Sequence, residues 1–441
     1  MPLLRQQLHG QDGHRKNPAI ESIVAEISPD SIRRNVGTLV SFKTRHTLSD
    51  TSGGTTGIGA ARRWILSEFE RYAKSSNGKM TAEFHETLAP PSQRIPHPTK
   101  IVNVIATLRP PSSHPHTSNQ VFLVSGHYDS RASNPLDSTS GAPGADDDGS
   151  GTALVLELAR VFSHADVRST IKFVAFAGEE QGLNGSSALA SLAKEQQWNI
   201  TGVLNNDIVG SSHGGNGEIE SSYVRLFSEA YGALDTGGVF RQRNSLGLES
   251  DGPSRTLARY IKETAEQYVA GFSVKLIYRR DRFLRGGDHS SFNEKGFAAV
   301  RFTEAKENFD RQHQDVRTEN GRSYGDLPEF MDFEYCARIA RANAAALASL
   351  ALAPVAPSNA EIMTKNLEYG TSLRWDKNTG ADLTGYIVRY RETTSPTWQY
   401  QSFTTDTTLT LKISKDDYLF GVQAVDKDGN ASLISVPKPV R

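Results

Sequence analysis

The sequence has one cysteine, no long apolar segment and almost no net charge, and each deficit excludes a class of protein. The single cysteine, Cys336, excludes an intramolecular disulfide and a cysteine-rich metal site. Its helical spacing with Met331, Tyr335 and Ile339 predicts a buried thiol. No uninterrupted apolar run approaches the roughly 18 residues that cross a bilayer, so no transmembrane segment is expected. The formal net charge of -1 gives no electrostatic reason to expect nucleic acid as a partner.

The N-terminal segment lacks the features of a secretion signal. Residues 1–9 hold only a few apolar side chains before charged and polar ones, and residues 1–19 are predicted to be loosely held. The protein is therefore expected either to be cytoplasmic or to have a leader that this sequence does not contain. Length, by contrast, is ample, because 441 residues of which 37% are apolar predict two or three domains with a large core.

Residues 20–352 alternate between strand-like and helix-like patterns. Over residues 101–207 this alternation predicts parallel strands joined by right-handed crossovers. The fold class predicted for this part is α/β, with a mixed, largely parallel sheet sandwiched by helices. One helix, from Thr152 to His164, is expected to be apolar nearly all round, with Glu157 and Arg160 on a narrow solvated stripe.

The remaining stretches depart from this regular alternation. Residues 210–253 are rich in Gly, Ser and Asn, which fits either a lid over a site or a surface excursion without a role. Residues 351–359 contain prolines and are predicted to form a short stiff linker. Residues 358–441 then change to a period of two, which predicts a small all-β sandwich. With Trp375 in an early strand and Tyr418 opening a late one, this last segment resembles a fibronectin type III domain.

Two apolar strand-like runs end in side chains that bind metals or move protons. The first ends in His127-Tyr-Asp129, and the spacing of two places His127 and Asp129 on one strand face. The second ends in Glu179-Glu180, whose adjacent side chains point in different directions. Because the carboxyl ends of parallel strands meet at one edge of a sheet, these groups are expected to converge there.

Between these two runs lies an acidic loop that opens a helix, with the sequence Gly144-Ala-Asp-Asp-Asp-Gly-Ser-Gly151. Its three aspartates repel one another unless a cation neutralises them, but such loops also form helix N-caps and calcium sites. Asp207 ends the next strand, and His289 and His313 lie in polar segments further on. A lone histidine is more often structural than a ligand, and a Glu-Glu pair is usually solvated, so each feature alone leaves both interpretations open.

Taken together, these motifs resemble the co-catalytic two-zinc aminopeptidase family of the bacterial leucyl aminopeptidase type over about residues 20–350. The motifs His-Tyr-Asp-Ser, Gly-Ala-Asp-Asp-Asp-Gly-Ser-Gly, Ala-Gly-Glu-Glu and Asn-Asp occur in the family's order. The resemblance implies a zinc-exopeptidase fold of the phosphorylase/hydrolase-like type, two Zn²⁺ ions per chain with Mn²⁺ or Co²⁺ as substitutes, and a peptide substrate with a free N-terminus. It also implies a secreted or periplasmic location, with the cytoplasm as the alternative.

The resemblance implies five zinc ligands, which are His127, Asp147, Glu180, Asp207 and His313. Asp147 would bridge both ions, and the two histidines would belong to different metal sites. His289 is the competitor of His313 as a ligand. Glu179 is implied as the general base that takes a proton from a water shared by the ions and returns it to the leaving amine. Four residues are expected to contact substrate or support the ligands: Asp129, Asp148, Asp288 and His289.

Two departures from the family pattern limit this transfer. Relatives often have a tyrosine or another donor beside the last histidine ligand, whereas Gln312 precedes His313 here, so the donor that stabilises an oxyanion is unassigned. The segment between Asp207 and His313 is longer than in compact members, which fits residues 210–253 being an insertion. The peptide bond that follows Asp147 is expected to be cis, as it often is in the family.

Two other functions remain open. Glutaminyl cyclases resemble these peptidases but use a single zinc for acyl transfer, so counting metals per chain distinguishes them. The other is a catalytically inactive peptidase fold that acts as a binding protein, although no ligand or base is missing from the sequence. The fibronectin-like segment is expected either to bind a polymer or surface or to act as a spacer.

Side-chain preference cannot be read from these motifs. The candidates for the pocket wall are Phe292, Phe297 and residues 210–253. Three arginines either recognise a carboxylate or form a solvated basic face: Arg279, Arg280 and Arg285.

Overall fold

A computed structural model describes residues 16–112, 114, 116–233, 235–365 and 368–440, so the predictions for residues 1–15 lie outside the described residues. The α-helices are α1 (Pro18–Ala25), α2 (Pro29–Ser41), α3 (Gly57–Ser75), α4 (Gly149–Phe162), α5 (Asn184–Glu195), α6 (Gly237–Ser245), α7 (Pro253–Tyr268), α8 (Asp288–Glu294) and α9 (Phe333–Leu352). None of the helices in this part of the chain combines the length and the apolar content needed to span a bilayer.

The β-strands are β1 (Met80–Ala89), β2 (Thr99–Leu108), β3 (Val121–His127), β4 (Thr170–Phe176), β5 (Ile200–Asn206), β6 (Tyr223–Ser228), β7 (Ser273–Ile277), β8 (Ala299–Thr303), β9 (Arg317–Glu319), β10 (Arg322–Tyr324), β11 (Glu361–Met363), β12 (Thr371–Arg374), β13 (Leu383–Glu392), β14 (Tyr400–Thr404), β15 (Thr408–Leu411), β16 (Tyr418–Asp426) and β17 (Lys438–Val440). The first eight form one sheet in the order β1-β2-β4-β3-β5-β8-β6-β7.

The centre of this sheet is parallel and its edges are mixed. β3 pairs in parallel with both β4 and β5, and β5 pairs in parallel with β8. The predicted α/β class with a mixed, largely parallel sheet is therefore confirmed. The expectation of parallel strands throughout residues 101–207 was wrong at β2, which runs antiparallel to β4, because apolar periodicity marks a strand without giving its direction.

Helices cover both faces of the sheet. One face packs against α1, α2, α3, α4, α7 and α9 in a large apolar core that includes the buried Cys336. The other face packs against α5 and α8 through Leu189, Ala193 and Phe292. The central strands β3, β4, β5 and β8 are buried along almost their whole length, so their polar side chains can reach solvent only where the strands end. The edge strand β1, by contrast, has exposed polar side chains along its length.

Two local expectations about helices differ from the structure. Glu157 is fully buried instead of solvated, because its carboxylate accepts hydrogen bonds from the Ser28 backbone N–H and the Arg160 guanidinium. The residues described before Ile20 are not loose, since α1 begins at Pro18 with Asn17 as its N-cap.

Residues 210–253 were expected to form a lid or a surface excursion, but they also supply β6. This strand lies within the main sheet, between β8 and β7, and its Val224 and Leu226 side chains are fully buried. The glycine- and serine-rich residues on either side of β6 concealed a strand of only six residues.

Residues 361–440 form a small all-β sandwich, as predicted. β11, β12, β15 and β17 make one sheet, and β13, β14 and β16 make the other. The two sheets enclose a separate apolar core that includes Trp375, Tyr386 and Val422. This sandwich docks on the α/β region through buried ion pairs, one of which joins Arg168 to Asp426 at 2.8 Å.

Candidate metal centre

Acidic and imidazole side chains gather where three parallel strands end and one helix begins. His127 is the last residue of β3, Glu179 and Glu180 follow β4, and Asp207 follows β5. Asp147 lies in the loop that leads into α4. The sheet therefore delivers these residues to one edge, as the carboxyl ends of parallel strands do in open α/β folds.

A first group of potential ligands consists of His127, Asp147 and Asp207, whose ligand atoms all lie within 4.8 Å of one another. His127 Nε2 is 3.2 Å from Asp147 Oδ1 and 3.9 Å from Asp207 Oδ1. All three side chains are buried. The group thus directs one imidazole nitrogen and two carboxylates toward a common point.

A second group consists of Asp147, Glu180 and His313, again with all ligand atoms within 4.8 Å of one another. His313 Nε2 lies 3.0 Å from Asp147 Oδ2 and 3.0 Å from Glu180 Oε1. Asp147 therefore presents one carboxylate oxygen to each group. His289 belongs to neither group, so among the described residues it is His313 that completes the second one.

Glu179 lies beside the first group and opens onto solvent. Its Oε2 is 4.0 Å from His127 Nε2, and 14% of its side-chain surface is exposed. Burial, together with the nearby carboxylates of Asp207, Glu180 and Asp288, raises the pKa of Glu179 well above its usual value.

The residues of this centre fit divalent cations with nitrogen and oxygen ligands, such as zinc. Burial alone would raise the pKa of Asp147, but His313 and His127 outweigh it and hold that pKa well below its usual range. Glu180 Oε1 is buried and makes no hydrogen bond to a described residue, although it lies 3.0 Å from His313 Nε2. A buried carboxylate oxygen without a donor is costly unless a cation satisfies it.

Asp129 supports the centre through its backbone carbonyl and its carboxylate. His127 Nδ1 lies 3.1 Å from the Asp129 backbone carbonyl and 3.6 Å from its carboxylate. The carboxylate instead accepts the backbone N–H groups of Glu179 at 3.3 Å and Glu180 at 3.1 Å, and the Thr47 hydroxyl at 3.1 Å. Asp129 therefore fixes the peptide segment that carries both glutamates.

Asp148 joins the centre to the helix behind it. Its carboxylate caps α4 by accepting the Gly151 N–H at 2.9 Å, and it accepts the His127 N–H at 2.9 Å. The peptide bond between Asp147 and Asp148 is cis, as the family resemblance implies. Asp148 thus acts on the backbone and belongs to neither ligand group.

Asp288 and His289 lie at the start of α8, next to the centre. Asp288 is buried, and neither of its carboxylate oxygens has a hydrogen-bond partner among the described residues. Its burial raises the pKa of Asp288 to about 7. Burial lowers the pKa of His289 to about 4, and its Nε2 lies 2.8 Å from the Arg280 carbonyl oxygen.

Two arginines that contact the ligand groups were missed in the sequence. Arg301 Nη2 lies 2.8 Å from Asp207 Oδ1, and the residue is fully buried. Arg131 lies against the second group, with Nε 2.8 Å from Glu180 Oε2 and Nη2 2.7 Å from His313 Nδ1. Arg301 had a signal in the sequence, since it interrupts the apolar strand β8 and a charge there must be paired. Arg131 follows the His-Tyr-Asp-Ser motif without any such signal.

The backbone of the acidic loop is held by two further residues that no motif revealed. Asp326 accepts the N–H groups of Asp146 at 2.8 Å and Asp147 at 2.7 Å, one on each carboxylate oxygen. The buried guanidinium of Arg45 donates to the backbone carbonyls of Tyr128 at 2.7 Å and Gly144 at 2.8 Å. Both contacts bridge positions far apart in the sequence, so no local pattern could disclose them.

The centre lies at the bottom of a cleft of about 630 Å³. Four of the non-glycine residues that line it adopt positive φ, which are Leu183, Ile208, Leu284 and His313. Such conformations cost free energy and concentrate at functional sites. Arg285 lines the cleft, whereas Phe292 is buried in the core and no described residue of 210–253 lines the cleft. The pocket wall is therefore built mainly from residues 282–286 and 309–314.

Comparison with known proteins finds a matching family, related sequences and solved structures with the same fold. The sequence model of peptidase family M28 matches residues 103–330. A protein of Leptosphaeria maculans named probable zinc metalloprotease is 45% identical over 421 residues, covering 95% of this chain and 97% of the relative. The LapA aminopeptidase of Legionella pneumophila has the same fold, with a TM-score of 0.52, 18% identity, and coverage of 77% of this chain and 78% of that one. An aminopeptidase from Aneurinibacillus sp. strain AM-1 also has a TM-score of 0.52, at 15% identity, and covers 74% of this chain and 95% of its own.

Proposed function

The chain belongs to peptidase family M28, and a relative that is 45% identical to it is named probable zinc metalloprotease; from this we propose that it is a zinc aminopeptidase that releases N-terminal residues from peptides. The aminopeptidases of Legionella and Aneurinibacillus that share the fold support the exopeptidase part of this proposal. A secreted or periplasmic location accompanies it, as the family resemblance implies.

The observation that carries the proposal is the carboxylate shared by two ligand groups. Asp147 Oδ1 faces His127 at 3.2 Å, and Asp147 Oδ2 faces His313 at 3.0 Å. A single aspartate that serves two groups suits a pair of adjacent Zn²⁺ ions. His127 and Asp207 would complete one site, and Glu180 and His313 would complete the other.

Zinc ions held there would act as Lewis acids that lower the pKa of a bound water and polarise the scissile carbonyl. The chain's own contribution is to move the proton and to fix the geometry. Glu179 is the general base of the proposal, since its carboxylate opens onto the cleft 4.0 Å from His127 Nε2. It would accept a proton from the attacking water and return it to the leaving amine.

The backbone around Glu179 prepares it for this role. Its N–H donates to Asp129 Oδ1 at 3.3 Å, and the next N–H, of Glu180, donates to Asp129 Oδ2 at 3.1 Å. The two glutamates are thereby held on one rigid segment, so that one carboxylate can bind metal while its neighbour stays available for the proton. Their different directions follow from their adjacency at the end of β4.

The specificity for a free N-terminus can be tested with paired substrates. Zinc-loaded protein should hydrolyse aminoacyl nitroanilides and unmodified peptides, while N-acetylated versions of the same compounds should react far more slowly. The measurement is the initial rate of hydrolysis for the free and the N-acetylated form of each compound. Turnover of blocked peptides as fast as free ones would remove the aminopeptidase assignment.

Two substitutions separate the base from the bridging ligand. Glu179→Gln should keep its zinc and lose about 10²–10⁴-fold in kcat, the usual contribution of a general base. Asp147→Asn should lose both zinc and activity, because both groups depend on it. Zinc content by plasma mass spectrometry and kcat are measured for both, with the exposed Glu319→Gln as a charge-matched control. The opposite pattern would reverse the two roles.

The same metal analysis addresses the main alternative and the domain organisation. Two zinc ions per wild-type chain fit the proposal, whereas one would fit the single-zinc acyl transfer of glutaminyl cyclases. The proposal includes a peptidase domain over residues 20–352 and a fibronectin type III-like domain over residues 358–441 that serves as a spacer or binds a polymer or surface.

A further inference from the structure

Four arginines line the cleft above the candidate metal centre, which are Arg94, Arg131, Arg282 and Arg285. Two of them are already neutralised. Arg131 lies 2.8 Å from Glu180 Oε2, and Arg282 lies 2.8 Å from Glu307 Oε2 and 3.1 Å from Asp281 Oδ1. The other two retain positive charge that the described residues do not balance.

Arg94 is an exposed cation in the turn between β1 and β2, held beside the centre. Its Nη1 donates to the Glu180 backbone carbonyl at 2.8 Å, and it forms no ion pair with a described residue. The turn that carries it is fixed by reciprocal backbone hydrogen bonds between Ser92 and Ile95, and the Ile95 side chain is fully buried. The guanidinium is therefore held in place at the lining of the cleft by one of its nitrogens.

Arg285 lies near the carboxylate of Glu307, which already pairs with two other arginines. Glu307 Oε1 accepts Arg225 at 2.8 Å, and Glu307 Oε2 accepts Arg282 at 2.8 Å. Arg285 is the third arginine at this carboxylate, at 3.5 Å, and its side chain is 33% exposed. Three arginines share the negative charge of Glu307, and of these it is Arg282 that has a second carboxylate, Asp281, so Arg285 has charge left for a ligand.

The cleft is also lined by four acidic residues, Asp147, Glu179, Glu180 and Asp207. Zinc held by these carboxylates would neutralise them, and a concave site whose arginines are then unbalanced attracts anions from solution. The planar guanidinium matches the two oxygens of a carboxylate and binds it more specifically than an ammonium does. From these contacts we infer that the cleft selects peptides that carry a carboxylate near the scissile bond, with Arg94 and Arg285 as the cationic groups that recognise it. This inference deepens the proposed function and rests on it, because the ligand is taken to be a peptide substrate.

The carboxylate has two possible sources in a peptide. It is either the side chain of an acidic residue next to the scissile bond or the C-terminal carboxylate of a very short peptide. The cleft also has apolar walls, since Leu284 and Phe309 line it and are largely exposed. These walls suit the aliphatic part of a ligand whose charged end faces an arginine.

Binding to a variant that does not consume its ligand tests the inference directly. Zinc-loaded Glu179→Gln protein is titrated by calorimetry with Leu-Leu and its C-terminal amide, and with Glu-Leu-amide and Gln-Leu-amide. In at least one pair the carboxylate form should bind about tenfold tighter, as a charge-assisted contact allows. The first pair reports the C-terminal source and the second reports the side-chain source.

The arginines are then replaced in the same background. The double variant Arg94→Ala/Arg285→Ala should bind the carboxylate peptide no more than about twofold tighter than its neutral counterpart. The double variant Arg94→Lys/Arg285→Lys should retain part of the difference, because the positive charges remain but the paired N–H donors of the guanidinium are lost. Arg374→Ala serves as the matched control, because Arg374 is an exposed arginine on the sandwich, paired with Glu361. Thermal unfolding of each variant confirms that the fold is kept.

Equal affinity for the two peptides of each pair would overturn the inference. Carboxylate discrimination that persists in the double alanine variant would also overturn it, because the carboxylate would then be bound by the metals and not by the arginines. Wild-type kinetics separate this result from the proposed function. If the wild type hydrolyses neutral peptides rapidly and the variant binds carboxylate and amide peptides equally, only the inference is contradicted. If the variant binds carboxylate peptides selectively but the wild type hydrolyses no peptide, only the aminopeptidase assignment is contradicted.

Discussion

Arg301 is a fully buried cation that links the candidate metal centre to the wall of the cleft. One of its nitrogens pairs with Asp207 at 2.8 Å, and another pairs with Asp281 at 3.1 Å and donates to the Gly286 carbonyl at 3.1 Å. Its position in the sequence, within the apolar strand β8, would have allowed its burial to be predicted. Its partners could not be, because both come from other parts of the chain.

Removing Arg301 should be severely destabilising. Arg301→Met leaves the Asp207 carboxylate buried without its arginine and leaves Asp281 with Arg282 as its remaining arginine. Breaking a buried pair costs about 3–5 kcal/mol. Urea denaturation of the metal-free variant and wild type measures the difference in unfolding free energy. Arg317→Met removes an exposed arginine paired with Glu319, and this control should change stability by less than about 1 kcal/mol. Similar losses in both variants would contradict the argument.

The buried carboxylate of Glu307 should make the stability of the fold depend on pH. Burial alone would raise the pKa of its carboxyl, but Arg282, Arg301 and Arg225 outweigh burial and lower that pKa to about 2, from an ordinary value of 4.5. A lowered pKa means that the carboxylate stabilises the fold above about pH 4.5, and that this contribution is lost as the pH falls toward 2. The contribution is on the order of 3 kcal/mol.

Glu307→Gln should therefore be less stable than wild type at pH 7, and the gap should narrow between about pH 5 and pH 2. Urea denaturation at pH 7, 5 and 3 measures this gap. The exposed Glu319→Gln control should show a small gap that changes little. A gap for Glu307→Gln that stays constant or widens on acidification would show that the arginines do not hold the carboxylate charged.

At the scale of elements, the sequence predicted the helices and strands that carry the site better than the connections between them. β3, β4 and β5 end where their apolar runs end, so the convergence of His127, Glu180 and Asp207 followed from ordinary sheet geometry. The antiparallel direction of β2 and the position of β6 between β8 and β7 did not follow. Both depend on pairing between strands distant in the chain, which residue periodicity does not encode.

The N-cap of α4 offers an element-scale test with a built-in comparison. Asp148 caps α4 and also accepts the His127 N–H at 2.9 Å. Asp332, which belongs to neither ligand group, caps α9 by accepting the Tyr335 N–H at 3.0 Å and also accepts the Ser212 hydroxyl at 2.7 Å. Asp332→Ala should cost about 1 kcal/mol of unfolding free energy and leave the zinc affinity unchanged. Asp148→Ala should cost more and weaken zinc binding, because it also releases the end of β3.

Urea denaturation and competition with a zinc chelator measure these two effects. Equal zinc affinity in the two alanine variants would mean that Asp148 acts only as a helix cap, and that the end of β3 is fixed by other contacts.

At the scale of the whole molecule, the sandwich and the α/β region are joined by buried charges. Arg168 pairs with Asp382 and, at 2.8 Å, with Asp426, and Arg391 pairs with Asp251 at 2.8 Å. The sequence predicted two kinds of fold along the chain, but the stiff linker between them gave no indication of this contact. Charged residues scattered over both regions reveal their partners only in three dimensions.

These ion pairs should make the two regions unfold together. Arg168→Met leaves Asp426 buried without a cation and should lower the unfolding free energy by about 3–5 kcal/mol, with one thermal transition resolving into two in scanning calorimetry. Arg374→Met on the sandwich surface should keep a single transition near that of wild type. Two transitions already present in the wild type would show that the contact does not couple the regions.

The shared aspartate of the candidate metal centre also constrains how this chain can diverge. A substitution at Asp147 damages both ligand groups in one step, whereas the loss of Glu180 or His313 leaves His127, Asp147 and Asp207 together. The loss of His127 or Asp207 likewise leaves Asp147, Glu180 and His313 together. A descendant with a single-ion centre can therefore dispense with the other residues of either group, but it must keep Asp147.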